Sequence, residues 1–179
     1  SNPDINKYYP ASGDKELRSL ILNRYYPSLS LDNIAITNGA IGALDIVFRA
    51  LKETGAKVLL PNPGFSPYEK LTEFSGYETC SYKINYNNIE TMIDWESLRL
   101  NIDAQTKILL LNSPHNPTGK VLKEQDFVNL IDLLVSYPNL NLIMDEVYRD
   151  LIFGSHSHID FVSLIERSYI IGSFSKVFP

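Results

Sequence analysis

The 179-residue sequence is poor in cysteine, tryptophan, basic clusters and long apolar runs, and each shortage removes a class of protein. Its single cysteine, Cys80, permits no internal disulfide and no thiolate metal site, which fits a reducing compartment; Cys80 reads as a small, half-buried strand residue. No apolar run approaches the ~18 residues that span a bilayer, and no signal-peptide pattern is present, so the expectation is a cytoplasmic protein without membrane association. A formal net charge of -5, with lysine and arginine scattered, argues against a nucleic-acid groove. Neither GxGxxG nor a complete phosphate loop occurs, since Gly119-Lys120 lacks the upstream glycine. The three histidines, His115, His156 and His158, have no acidic partner at metal-ligand spacing, and no metal is expected. There are no internal repeats and no low-complexity linker.

What is present is alternation. Helical spacing of apolar residues predicts helices over 15–24 (capped by Asp14), from Ile41 to Leu51, and over 68–74, 95–100 and 123–137. Short apolar runs predict strands at 34–37, 57–60, 79–84, 107–111, 140–144 and 167–172. That order implies an α/β fold, three αβα layers around a mostly parallel sheet. Ligands of such sheets sit outside the carboxyl ends of the strands. The polar clusters fall there: Asn38-Gly39-Ala40, Asn62 to Phe65, His115-Asn116, Asp145 and Ser173 to Lys176.

Each residue has an ordinary reading and a chemical one. Lysines are mostly solvated charges, but Lys176, at the end of a buried strand, is expected to be partly desolvated and usable as an amine nucleophile. Asp145 could cap a helix or face a cationic nitrogen, with Tyr148 on the same face if a helical turn starts there. Asn116 could form a turn or donate to a phenolate, and Phe65 could close the core or stack on a flat ring. Gly39, Ala40 and Ile41 at a strand-to-helix junction form either an ordinary turn or an anion site. A lysine for an aldehyde, a carboxylate for a pyridinium, donors for a phenolate, an aromatic face and a helix start for a phosphate together describe pyridoxal 5'-phosphate.

His-Asn-Pro-Thr-Gly, Asp-Glu-Val-Tyr and Ser-Phe-Ser-Lys, in this order and at these separations, resemble the class I/II aminotransferases of pyridoxal-phosphate fold type I. The resemblance covers nearly the whole chain. It implies that Lys176 condenses with the cofactor aldehyde and shuttles the substrate proton. It also implies that Asp145 holds the ring nitrogen, Asn116 and Tyr148 donate to the ring oxygen, and Phe65 stacks on the ring. Gly39, Ala40, Ile41 and Ser173 would form the phosphate cup, with Ser175 beside it. Tyr8, or Tyr9 after a register shift, matches a tyrosine that reaches the neighbouring subunit's phosphate, implying a homodimer. The helix after Asn38-Gly39 carries Ile41-Gly42-Ala43, unlike the acidic residues of the histidinol-phosphate branch.

The implied activity is transfer of an amino group between an α-amino acid and a 2-oxo acid, with no nucleic acid or membrane as partner. Open alternatives are decarboxylation or elimination on the same scaffold, or a non-catalytic aminotransferase-like module. Residues 1–179 are expected to be part of the large cofactor-binding domain of a longer protein, without its small C-terminal domain and N-terminal arm, and inactive alone. In the family's seven-stranded sheet an antiparallel strand follows the lysine. The expectation here is therefore a sheet of five strands with the lysine strand at an edge and residues 34–37 detached.

Overall fold

The computed structural model describes residue 8 and residues 10–87, 90–153 and 166–178. Helices α1 (Lys15–Tyr25), α2 (Gly39–Ala50), α3 (Pro67–Phe74), α4 (Trp95–Asn101) and α5 (Glu124–Ser136) alternate with strands β1 (Lys57–Asn62), β2 (Glu78–Lys83), β3 (Thr106–Asn112), β4 (Asn141–Asp145) and β5 (Ser168–Ile171). The strands form one sheet in the order β2-β1-β3-β4-β5, every pair parallel.

The period-2 geometry of a strand divides the apolar residues between two faces. Leu59, Leu109, Leu111, Leu142 and Met144 pack with Trp95 and Leu98 of α4 and Leu130 and Leu133 of α5. Val58, Leu60, Ile108, Leu110 and Ile143, their strand neighbours, pack with Leu44 and Phe48 of α2 and Tyr68 of α3. Both faces are covered, which gives the three αβα layers and explains the unbroken Ile-Leu-Leu-Leu run in β3. Each such side chain, removed fully from water, contributes about 1.5–3 kcal/mol before conformational entropy is charged. Cys80 is a half-buried free thiol on β2, packed against the first of these clusters.

Two expectations need correction. Strand β1 does not close at Pro61 but continues to Asn62, where Ile84 N–H donates to the Asn62 carbonyl. Pro61 fits because β1 pairs with β3 only as far as Leu59, so its missing N–H faces the side where that ladder has ended. Residues 34–37 are extended but belong to no strand; Ile36 N–H donates to the Ser12 carbonyl instead. They lie apart from the five paired strands, as the family topology implies for this stretch, and β5 is an edge. Gly13 makes the joint with Ser12 possible. Its φ is +91°, and an added Cβ would come within 2.6 Å of the Ile36 Cβ.

Helix α1 begins as predicted, with the Asp14 carboxylate accepting from Leu17 N–H at 2.8 Å. It contributes no residue to either core cluster. Its buried Arg18 instead donates from Nη1 to the carbonyls of Leu31 (3.1 Å) and Ile34 (3.3 Å), holding the segment that leads into α2.

Candidate active site

Parallel pairing brings the carboxyl ends of β1, β3, β4 and β5 to one edge of the sheet. Asn112 pairs in register with Asp145, and Asp145 with Ile171, so three strand ends are level there. Asp145, at the end of β4, is only 3% exposed. Its Oδ2 accepts from the Tyr68 hydroxyl at 2.6 Å and its Oδ1 from Val147 N–H at 3.1 Å. Burial pushes the carboxyl above its ordinary range, against the opposing pull of the Tyr68 and Val147 hydrogen bonds; Glu146 adds to the rise and the Lys176 ammonium works against it. A carboxylate held in this way gains from any cation placed beside it.

Tyr68 and Asn112 are site residues that sequence reasoning passed over. Tyr68 follows Phe65 by three residues, and the two rings meet edge to face, with centroids 5.4 Å apart. That spacing at a helix start was the available signal. Phe65 is half-buried against the α2–α3 side of the core while keeping part of its surface free. Asn112 looks like an ordinary strand end, yet its Nδ2 donates to the Asp145 carbonyl (3.0 Å) and its Oδ1 accepts from Asn116 N–H (2.7 Å). It fixes the loop after β3 to the end of β4.

Asn116 points its Nδ2 at the Tyr148 hydroxyl, 3.5 Å away. Lys176 Nζ lies 5.6 Å from the centre of the Tyr148 ring. Asp145, Tyr148, Asn116 and Lys176 are thus gathered in one place. Two details differ from expectation. Tyr148 does not share a helical face with Asp145, because the chain turns at Val147-Tyr148 and the 3-10 helix Arg149–Leu151 begins only afterwards. Lys176 is exposed rather than desolvated. Strand β5 is an edge strand that ends at Ile171, and the turn beyond it carries the lysine out of the sheet.

At the start of α2, Gly39 has φ +72°, a conformation that favours glycine, and a Cβ there would meet nothing within 4 Å. Its own N–H is engaged by the Thr37 carbonyl at 2.8 Å. The Ala40 and Ile41 N–H groups, in the first helical turn, have no i-4 acceptor within the helix, and Asn38 makes no side-chain cap. Across the edge, Ser173 and Ser175 share a hydroxyl hydrogen bond of 2.8 Å, and Ser175 N–H donates to Ser173 Oγ at 3.3 Å. Ser175 therefore orients Ser173. Tyr8 is fully exposed and meets none of these residues; Tyr9, His156 and His158 lie outside the described residues.

His115 is 2% exposed. Its Nδ1 lies 2.8 Å from Thr118 Oγ1, and its Nε2 is buried without a well-formed hydrogen bond. Burial pushes the ring down to about 4, with the Pro63 carbonyl working the other way. No cluster of three or more potential metal ligands occurs among the described residues, and none of the described helices is long and apolar enough to cross a membrane.

The donor set fits pyridoxal phosphate. A buried carboxylate stands at the strand ends with a primary amine and two hydrogen-bond donors near it, and an open helix start lies at the same sheet edge. Comparison with known proteins agrees. Residues 1–178 match the family described as aminotransferase class I and II. A probable aspartate aminotransferase of Methanocaldococcus jannaschii is 35% identical over 96% of this chain, which spans 45% of that protein. A tyrosine aminotransferase of Dictyostelium discoideum is 33% identical over 97% of the chain, spanning 42% of its own length. Among solved structures, N-succinyldiaminopimelate aminotransferase from Mycobacterium tuberculosis superposes with a TM-score of 0.85 at 28% identity, over 95% of this chain and 46% of that one. The chain spans under half the length of these relatives.

Proposed function

Because the chain belongs to the class I and II aminotransferase family, we propose that the protein is a pyridoxal-phosphate-dependent aminotransferase that moves an amino group between an α-amino acid and a 2-oxo acid. The observation that carries this reading is the buried Asp145 carboxylate, braced by Tyr68 and level with the strand ends that deliver Asn116, Tyr148 and Lys176. Bound pyridoxal phosphate supplies an aldehyde and a protonated ring nitrogen able to draw electron density from the substrate Cα.

The chain's own residues do the rest. Asp145 would keep the ring nitrogen protonated, with Tyr68 holding that carboxylate in place. Asn116 and Tyr148 would donate to the phenolate oxygen, and Phe65 would stack on the ring. The Gly39, Ala40 and Ile41 backbone, with Ser173 and Ser175, receives the phosphate. Lys176 would carry the proton between substrate Cα and the cofactor's aldehyde carbon.

Residues 1–179 serve as part of the large domain in this reading, and the small domain that selects the substrate lies elsewhere in the protein. Tyr8 reaches the partner subunit's phosphate in a cytoplasmic homodimer. The test is an absorbance titration of the full-length protein with pyridoxal phosphate, followed by borohydride reduction and peptide mass spectrometry, then a panel of amino acids with 2-oxo acids. A visible band, a reduced adduct on Lys176 and amino transfer are expected. An adduct on another lysine, or carbon dioxide release without amino transfer, would overturn the proposal.

A further inference from the structure

The turn that carries Tyr148 is fastened from outside the cofactor site. Arg149, the next residue, donates from Nη1 to the Tyr26 hydroxyl at 2.8 Å. Its guanidinium lies over the Tyr25 ring at 4.7 Å and the Tyr26 ring at 5.2 Å. The same Nη1 is 3.2 Å from Oε2 of Glu146, a carboxylate only 2% exposed. One residue further on, Asp150 accepts from the Tyr25 hydroxyl at 2.9 Å. The last residue of α1 and its cap therefore grip the two residues that follow Tyr148, while Arg18 of the same helix holds the segment running into Gly39. Since α1 adds nothing to either core cluster, these contacts describe a brace between the two halves of the site rather than a packed helix.

We propose that Arg149, held against Tyr25 and Tyr26 and paired with Glu146, is a positioning residue that sets the Tyr148 phenol against Asn116 and Lys176. A planar guanidinium suits the place, because it can lie close to two aromatic rings while donating to a hydroxyl and ion-pairing with a carboxylate. A lysine offers a point charge and no plane. The brace also acts at the correct lever. Residues 146–151 are a turn and a single 3-10 turn, held in the backbone by Glu146 N–H to the Ile171 carbonyl (2.8 Å) and Arg149 N–H to the Glu146 carbonyl (2.9 Å). Such a segment has little packing of its own to fix a phenol.

The proposal rests on the cofactor reading above, and its test separates the two. Arg149→Lys and Tyr26→Phe are made in the full-length protein, each alone and with Tyr148→Phe. Tyr26→Phe removes a single hydroxyl and keeps the question answerable if Arg149→Lys does not fold. Without added cofactor, amides 146–151 should exchange with solvent at least about fivefold faster in both variants, with α5 unchanged. With pyridoxal phosphate, the dissociation constant should rise several-fold in each variant, and adding either to Tyr148→Phe should cause no further rise, since groups acting through one another are not additive. Unchanged exchange at 146–151, or a full additional loss in the Tyr148→Phe background, overturns the positioning role. If the wild-type protein binds no pyridoxal phosphate, the cofactor reading fails, and the exchange rates still decide whether Arg149 holds the turn.

Discussion

At the scale of single residues, the site is a set of polar groups whose ordinary chemistry is changed by where strands end. Asp145 is buried deeply enough to raise its carboxyl, yet both oxygens keep a donor. Substitution by alanine should leave cofactor binding largely intact and lower kcat by at least ~10²-fold, about 2.7 kcal/mol of transition-state stabilisation. Steady-state kinetics that return near-normal turnover would refute the role. His115 makes a different prediction. Its folded value of about 4 lies below the ordinary 6.5, so the folded state binds fewer protons than the unfolded chain between those limits. Stability is then full above about pH 6.5 and declines as pH falls toward 4, by up to about 3 kcal/mol. Urea unfolding from pH 7 to 4.5 should show the advantage of wild type over His115→Gln shrinking with acid, and a constant difference would count against a neutral buried ring.

At the scale of elements, Asp126 is the clearest structural dependency. This buried carboxylate near the start of α5 accepts from the backbone N–H groups of Met92, Ile93 and Lys123 and from the Trp95 indole N–H at 2.9 Å. It ties the loop before α4 to α5 on the face of the sheet away from α2 and α3. Asp126→Ala orphans four donors, most of them buried, and should cost at least about 3 kcal/mol. Chemical denaturation reads that loss directly; a change under 1 kcal/mol means that water or a neighbour replaces the carboxylate. The apolar periodicity made the five α-helices and five sheet strands of the described residues legible to within two or three residues. Residues 34–37 show the limit of that reading, because four apolar-rich residues have strand character whether or not a neighbour exists to pair with them.

At the scale of the molecule, five parallel strands leave β2 and β5 as edges, with the lysine turn following β5. Tyr8 stands fully exposed and away from the other site residues, which suits a residue that acts on a second subunit. The full-length protein is expected to sediment as a homodimer, and Tyr8→Phe to weaken pyridoxal phosphate binding at least about fivefold, the loss of one hydrogen bond to a charged group. A fully active monomer would contradict this. The partial length matters too, since the chain spans under half of each relative named above and substrate choice belongs to the whole protein.

The sequence by itself determined the layer order and the placing of Asp145, Asn116, Tyr148 and Lys176 beyond or at strand ends, because periodicity and short motifs are local properties of the chain. Tertiary structure alone decided what surrounds them. Tyr68 reaches Asp145 across 77 positions and Arg149 reaches Tyr26 across 123, and no local pattern encodes such pairs. The exposure of Lys176 was likewise settled by its place beyond an edge strand, because burial depends on how many neighbours the sheet supplies and not on the apolar character of the strand that precedes it.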